Sequence, residues 1–299
     1  MGLINQSAAA CSVGLVSAAG FATANALQHR AAGRVPETVE RALAVLAHLA
    51  RQRIWRFATA VSFGAMLLHA LALRLGSLAL VQPLMLVGVV LAVPLRAAIE
   101  HKRPTSSELQ AVGVTAAGLA LFVASTNPSP SAATPVPGIL AAFIGAGLVL
   151  VVLAVRASRR TGDPKRQATW LGAAAGLMFG VTAGLLKTVG NAIAAGNTVA
   201  TVACLVCLVG AGLLGTALNQ RAYQIAPLAF SMPVVNVVDI LVAVAFGVVV
   251  YGEQPAYSIP LLLLQVVGLG ITGVGLSRIA TLEPSSLPTG RAAVREAWS

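Results

Sequence analysis

The sequence predicts an all-α polytopic membrane protein with about nine transmembrane helices arranged as a degenerate inverted repeat. Three observations lead there. Long stretches carry no charge, for example the whole interval between Ala111 and Arg156, and about 20 apolar residues suffice for a helix to cross a bilayer core. The basic residues cluster in the connections between apolar runs, as topology requires of cytoplasmic loops. Finally, a segment occurs twice, 150 residues apart, first at Ala72–Pro83 and again at Ala222–Pro233.

In chain order the apolar runs place spans at 8–28, 54–74, 77–98, 108–125, 138–156, 169–188, 198–219, 226–250 and 258–279. The runs are continuous rather than alternating, which excludes a β-barrel. Between the first two spans, residues 36–53 carry Val39, Leu43, Leu46 and Leu49 at helical spacing beside Glu40, Arg41 and Arg51. That pattern predicts an amphipathic helix on the membrane surface. Residues 126–137 form a Pro/Ser-rich outer linker, and 281–299 a polar tail expected to be disordered. The division is therefore a first half at 1–125, the linker, a second half at 138–280 and the tail. Residues 1–10 lack a basic run, so no cleaved signal peptide is expected and the first apolar run stays as a span.

Charge sets the orientation. With the N-terminus outside and the C-terminus in the cytoplasm, 18 of the 20 Lys and Arg fall on the cytoplasmic side, leaving only Arg74 and Lys187 outside. A multi-pass protein of the plasma membrane is the expectation. The net charge of +11 thus reflects topology, and nucleic acid is not an expected partner. The bilayer and a small-molecule or ion substrate are expected partners, and a homodimer is left open.

The same orientation makes the two copies of the repeated segment cross in opposite directions. Six of the 20 paired positions are identical: Ala72, Leu78, Ala79, Pro83, Val87 and Leu91. Oppositely directed copies form an inverted repeat, a common plan of secondary transporters. Nine spans make the halves unequal. The simplest plan is five plus five, with the first half lacking its second helix and residues 36–53 in its place.

These residues resemble the drug/metabolite transporter superfamily, including the EamA-like permeases. The resemblance covers most of residues 8–280. It rests on the turn and proline of Ala72–Pro83 with Gly113 and Gly118, and of Ala222–Pro233 with Gly268, Gly270, Gly273 and Gly275. It implies two inverted five-helix repeats and transport by alternating access. The nine-span layout is most similar to the NIPA-like magnesium transporter branch, through Leu218-Asn219-Gln220-Arg221-Ala222 and Leu80-Val81-Gln82-Pro83-Leu84. Where that branch has an acidic residue and an Asn before the first turn, this chain has Met66 and His69, which suit a divalent cation's preference for oxygen poorly.

Asp239 is the only acidic residue well inside a span. Charge at that depth costs several kcal/mol and commonly marks a pathway, so it is the first candidate for substrate or coupling-ion contact. Asn236 lies one turn earlier on the same face. In the first copy Val89 and Leu86 stand at these places, so the polar pair belongs to one half. His69, Asn25 and Gln82 complete the candidate set, with Gln28 and Gln265 behind them. Interhelical hydrogen bonding is the competing role for each. Lys187 and Arg74 are expected to snorkel at the outer interface, Tyr251 to anchor there, and Glu253 to be solvated in an outer loop.

Gly172, Gly176, Gly180 and Gly184 make a flat strip along the sixth span. It serves either tight static packing or a sliding surface. Pro83 and Pro233 remove backbone hydrogen bonds inside their helices and are candidate kinks. Cys204 and Cys207 form a lone CxxC, read as packing residues. No Walker A, zinc-ligand cluster or catalytic triad pattern is present, so neither an enzyme nor a cofactor nor a metal centre is expected. The expected function is secondary transport of a small polar metabolite or ion, with proton coupling. The alternatives are a magnesium or other divalent cation transporter and a non-transporting scaffold or accessory subunit.

Overall fold

The computed structural model describes residues 3–32, 50–99, 103–126, 135–226, 228–253 and 258–282. The amphipathic stretch before residue 50, most of the linker and the tail beyond residue 282 lie outside the described residues. Among the described residues ten helices follow one another: α1 (Leu3–Ala32), α2 (Arg53–Leu75), α3 (Leu78–Leu84), α4 (Val87–Ile99) and α5 (Ser106–Ser125). Then come α6 (Pro137–Arg160), α7 (Pro164–Ala194), α8 (Thr198–Ile225), α9 (Leu228–Tyr251) and α10 (Ile259–Leu282). Among the described residues nine spans are long and apolar enough to cross a membrane, as expected of a multi-pass membrane protein. Their ends fall within a few residues of those expected, apart from α7, which continues to Ala194.

Helix starts follow local chemistry. The Thr105 hydroxyl accepts from Glu108 N and the Glu108 carboxylate accepts from Thr105 N, a reciprocal cap that opens α5. Asp163 caps α7 ahead of Pro164, and Asn197 caps α8. Gly196, at φ +67°, reverses the chain between α7 and α8.

One span is broken. Leu78–Leu95 consists of the seven-residue α3 and then α4. Pro83 has no N–H to give Ala79. The next bonds tighten to three-residue spacing, Met85 N to Gln82 O and Leu86 N to Pro83 O. Its counterpart Pro233 sits inside the uninterrupted α9. Of the two candidate kinks, only Pro83 coincides with a break.

α7 is the central helix. It packs on α6, α8 and α9 and touches α2, and its buried side chains point all round. The glycine strip faces α9. A methyl group at Gly176 would stand 2.6 Å from Val235 O, and one at Gly180 2.6 Å from Val242 Cβ and 2.7 Å from Asp239 O. The strip is therefore a backbone-to-backbone contact. Val181, the adjacent position, is fully buried in the main core.

Gly180→Ala is expected to force α7 and α9 apart and cost about 1–3 kcal/mol. Gly210→Ala on α8, where nothing lies within 4 Å, is expected to be neutral. Thermal unfolding in detergent reads the difference, and equal midpoints would remove the close contact.

The halves meet at α5 with α10, α3 with α9, and α2 with α7. In the first seam Gly118 faces Thr272 and Gly268 faces the Phe122 backbone. Thr115 faces Gly275, and Gln265 Nε2 donates to Ser125 O at 3.1 Å. Gln265 is thus an interhelical hydrogen bonder.

Candidate functional site at the broken helix

Gln82 stands in the last turn of α3, immediately before Pro83. Its side chain is buried and its Nε2 lies 2.9 Å from both Oδ1 and Oδ2 of Asp239 on α9. The carboxylate is half-buried and the amide donates into the space between its oxygens. Gln82 Oε1 is buried, with no hydrogen-bond partner among the described residues. No ion pair among the described residues reaches Asp239. The result is a site rich in acceptors: a carboxylate and a spare amide oxygen, with a single amide nitrogen between them. Such a site takes a proton or a positively charged or donor-rich ligand. Behind it, the Asp239 backbone rests on Gly176 and Gly180.

The other expected residues are placed differently. The Asn236 amide donates to Met232 O of its own helix at 2.8 Å and does not hold the Asp239 carboxylate. His69 on α2 is buried, and its Nδ1 has no partner; no described hydrogen bond joins it to Gln82 or Asp239. The side chain of Asn25 lies outside the described ones. Among the described residues no three of His, Cys, Asp or Glu come together to hold a metal ion. Cys204 is buried and Cys207 exposed.

No family model, curated protein or solved structure matches this chain.

A second polar cluster lies at the start of α3 and corrects three expectations. Lys187 and Glu253 are 2% and 3% exposed, neither snorkelling nor solvated, and they form a direct buried ion pair. Lys187 Nζ also donates to Gly76 O at 2.9 Å and stands 5.0 Å above the Tyr251 ring. Tyr251 is not an interface anchor: it is 1% exposed, and its hydroxyl donates to Thr188 Oγ1 at 3.0 Å. The second Glu253 oxygen accepts from Leu78 N, the first N–H of α3, at 2.9 Å. Ser77 completes the cap by accepting from Leu80 N.

Two glycines make room for this cluster. Gly252, at φ +63°, turns the chain back after α9, so that Glu253 N donates to Gly247 O. Gly247 itself has no side chain where the Glu253 carboxylate lies, since a methyl there would overlap Oε2. Gly252→Ala is expected to cost about 1 kcal/mol through its backbone conformation. Gly247→Ala is expected to cost more by displacing a buried carboxylate. Unfolding midpoints of the two variants test this order.

Local sequence gave little sign of the cluster. The hints were a lysine within a run expected to be apolar and a Gly-Glu pair directly after a span. Arg74 is exposed, with its stem over Gly190.

Proposed function

We propose that this chain is a secondary transporter that moves a small polar metabolite or ion by alternating access, with Asp239 taking up the coupling proton or the charge of the substrate. The observation that carries the reading is the Gln82–Asp239 contact beside the helix break. A carboxylate inside a membrane span, met by a discontinuous helix of the other half, is an arrangement used where substrates bind near the midplane. The chain would belong with the EamA-like permeases of the drug/metabolite transporter superfamily, in the plasma membrane, with its N-terminus outside.

The packing supports an inverted repeat. The contacts of α5 with α10 centre near residue 120 on one helix and 270 on the other. That separation is 150, the offset of the repeated sequence segment. Two equivalent helices crossing on a pseudo-two-fold axis have this property. Helix α1 packs on α2 and α4 as α7 packs on α8 and α9. On that correspondence the helix without a counterpart is α6. The first half then lacks its first helix, and residues 36–53 are an insertion between α1 and α2.

Purified protein in liposomes tests the function. An imposed pH gradient is expected to drive uptake of a substrate from a panel of small metabolites and monovalent cations, and Asp239→Asn is expected to remove it. Absence of flux for every metabolite, lipid headgroup and cation would favour the scaffold reading instead.

A further inference from the structure

The cluster around Lys187 ties together segments that lie far apart in the chain. Lys187 belongs to α7, Glu253 follows α9, and both hold the turn from Gly76 to Leu78 that starts α3. One turn further along, Asp239 holds Gln82 of the same short helix. Two carboxylates of the second half thus grip the seven-residue α3 of the first half, one at each end. Helix α3 is too short to span a membrane and is separated from α4 at Pro83. All seven of its residues are buried and it packs on α1, α5 and α9; the two grips are the side-chain hydrogen bonds that tie it to the second half.

A buried ion pair adds little net stability over apolar residues of similar volume, because desolvating both charges offsets their attraction. What the pair supplies is a discrete bond that is either made or broken, between parts able to move relative to each other.

We propose that Lys187 and Glu253 are positioning residues that latch α3 against the second half. The latch closes the path at the end where α3 begins, and its release is a required step in exposing Asp239 to that side. This rests on the transporter reading. It adds a residue pair outside the Asp239 site and assigns the state seen here as closed at the α3 end. Tyr251 and Thr188 shape the latch: the ring covers Lys187, and the Thr188 hydroxyl fixes the ring.

Accessibility labelling tests the latch without requiring a known substrate. Cys11, Cys204 and Cys207 are replaced by alanine in the full chain, and Ala79→Cys or Val234→Cys is added, the latter partly exposed and lining a cleft between α9 and α10. The two reporters lie on α3 and near the start of α9. Membrane vesicles of both orientations are treated with a membrane-impermeant methanethiosulfonate carrying a trimethylammonium group. Removing both charges, as Lys187→Met with Glu253→Met, is expected to raise the labelling rate at position 79 about tenfold and to lower it at position 234. This is the population shift that follows when one state loses a bond. Lys187→Met with Glu253→Gln also removes both charges but keeps an acceptor for Leu78 N. It is expected to shift both rates in the same directions by less, and it carries the test if the Met/Met variant fails to fold.

Unchanged rates at both positions would overturn the latch and leave a static brace. Rates rising together would also overturn it, by showing a loosened fold. Flux that depends on Asp239, combined with unchanged labelling in the latch variants, would reject the latch alone and leave the transporter reading standing. Labelling that shifts as expected in a protein with no measurable flux would do the reverse.

Discussion

Asp239→Asn is expected to abolish uptake driven by a pH gradient while leaving the fold intact. The expected loss is complete, because an amide neither binds nor releases a proton near neutral pH. The fold survives because of what Gln82 lacks. Gln82 Oε1 is buried without a partner, and an asparagine at position 239 brings a donor beside it while keeping an oxygen for Gln82 Nε2. The two side chains then form a reciprocal amide pair, and no charge remains in the span. The unfolding midpoint in detergent is expected to stay level or rise as flux disappears. Full gradient-driven uptake by Asp239→Asn would remove the coupling role. A collapse of the midpoint would make Asp239 a structural acid instead. Gln82→Leu makes the complementary case. It leaves the carboxylate without its described donor and is expected to lower the midpoint, by the roughly 1–3 kcal/mol of a buried polar group left unsatisfied.

Lys187→Met is expected to be among the most damaging single substitutions in the protein, at about 3–5 kcal/mol. The cost does not come from the strength of the ion pair. It comes from stranding the Glu253 carboxylate, 3% exposed, with Leu78 N as its remaining donor from outside its own turn. Methionine has nearly the length of the lysine stem, so packing beside Tyr251 is largely kept. Adding Glu253→Gln removes the stranded charge and retains an acceptor for Leu78 N, so the double variant is expected to recover most of the loss. Unfolding midpoints of the two singles and the double make a cycle that isolates the coupling. If the double variant unfolds as early as Lys187→Met, the damage lies in the lysine stem and the charge account fails.

The spans were legible because bilayer thickness sets one length and composition writes it directly into the chain. Asp239 was legible for the same reason: an acid stands out where none is tolerated without a use. Its partner was not. Gln82 was visible as a polar residue in an apolar run, but its contact lies 157 residues away and depends on which face of α9 turns toward α3.

Glu253 was misread because the residues around it look like a loop. Its burial follows from a left-handed glycine at 252 and a missing side chain at 247, both tertiary facts carried by glycines common throughout this chain. The two prolines show the limit most plainly. Pro83 and Pro233 occupy matching places in matching segments, yet one coincides with a break and the other lies in an unbroken helix. The prolines match but the residues around them differ, with Gln82 against Met232 and Gly88 against Val238, and their neighbours in space differ too. α3 is held from outside at its first N–H and at Gln82, whereas α9 lies along the glycine strip of α7.

The seam between α5 and α10 has a mechanical consequence. Gly118, Gly268 and Gly275 bring backbone against backbone there, with Thr115 and Thr272 set into the gaps. Interlocked surfaces of this kind resist sliding, since any axial shift drives a threonine into a main chain, whereas turning about the middle of the seam strains only its outer contacts, Thr115 with Gly275 and Ser125 with Gln265. If the halves move against each other, this crossing is the fulcrum. A small angular change there would become a displacement of several ångströms at the far ends of the helices, by lever arm alone.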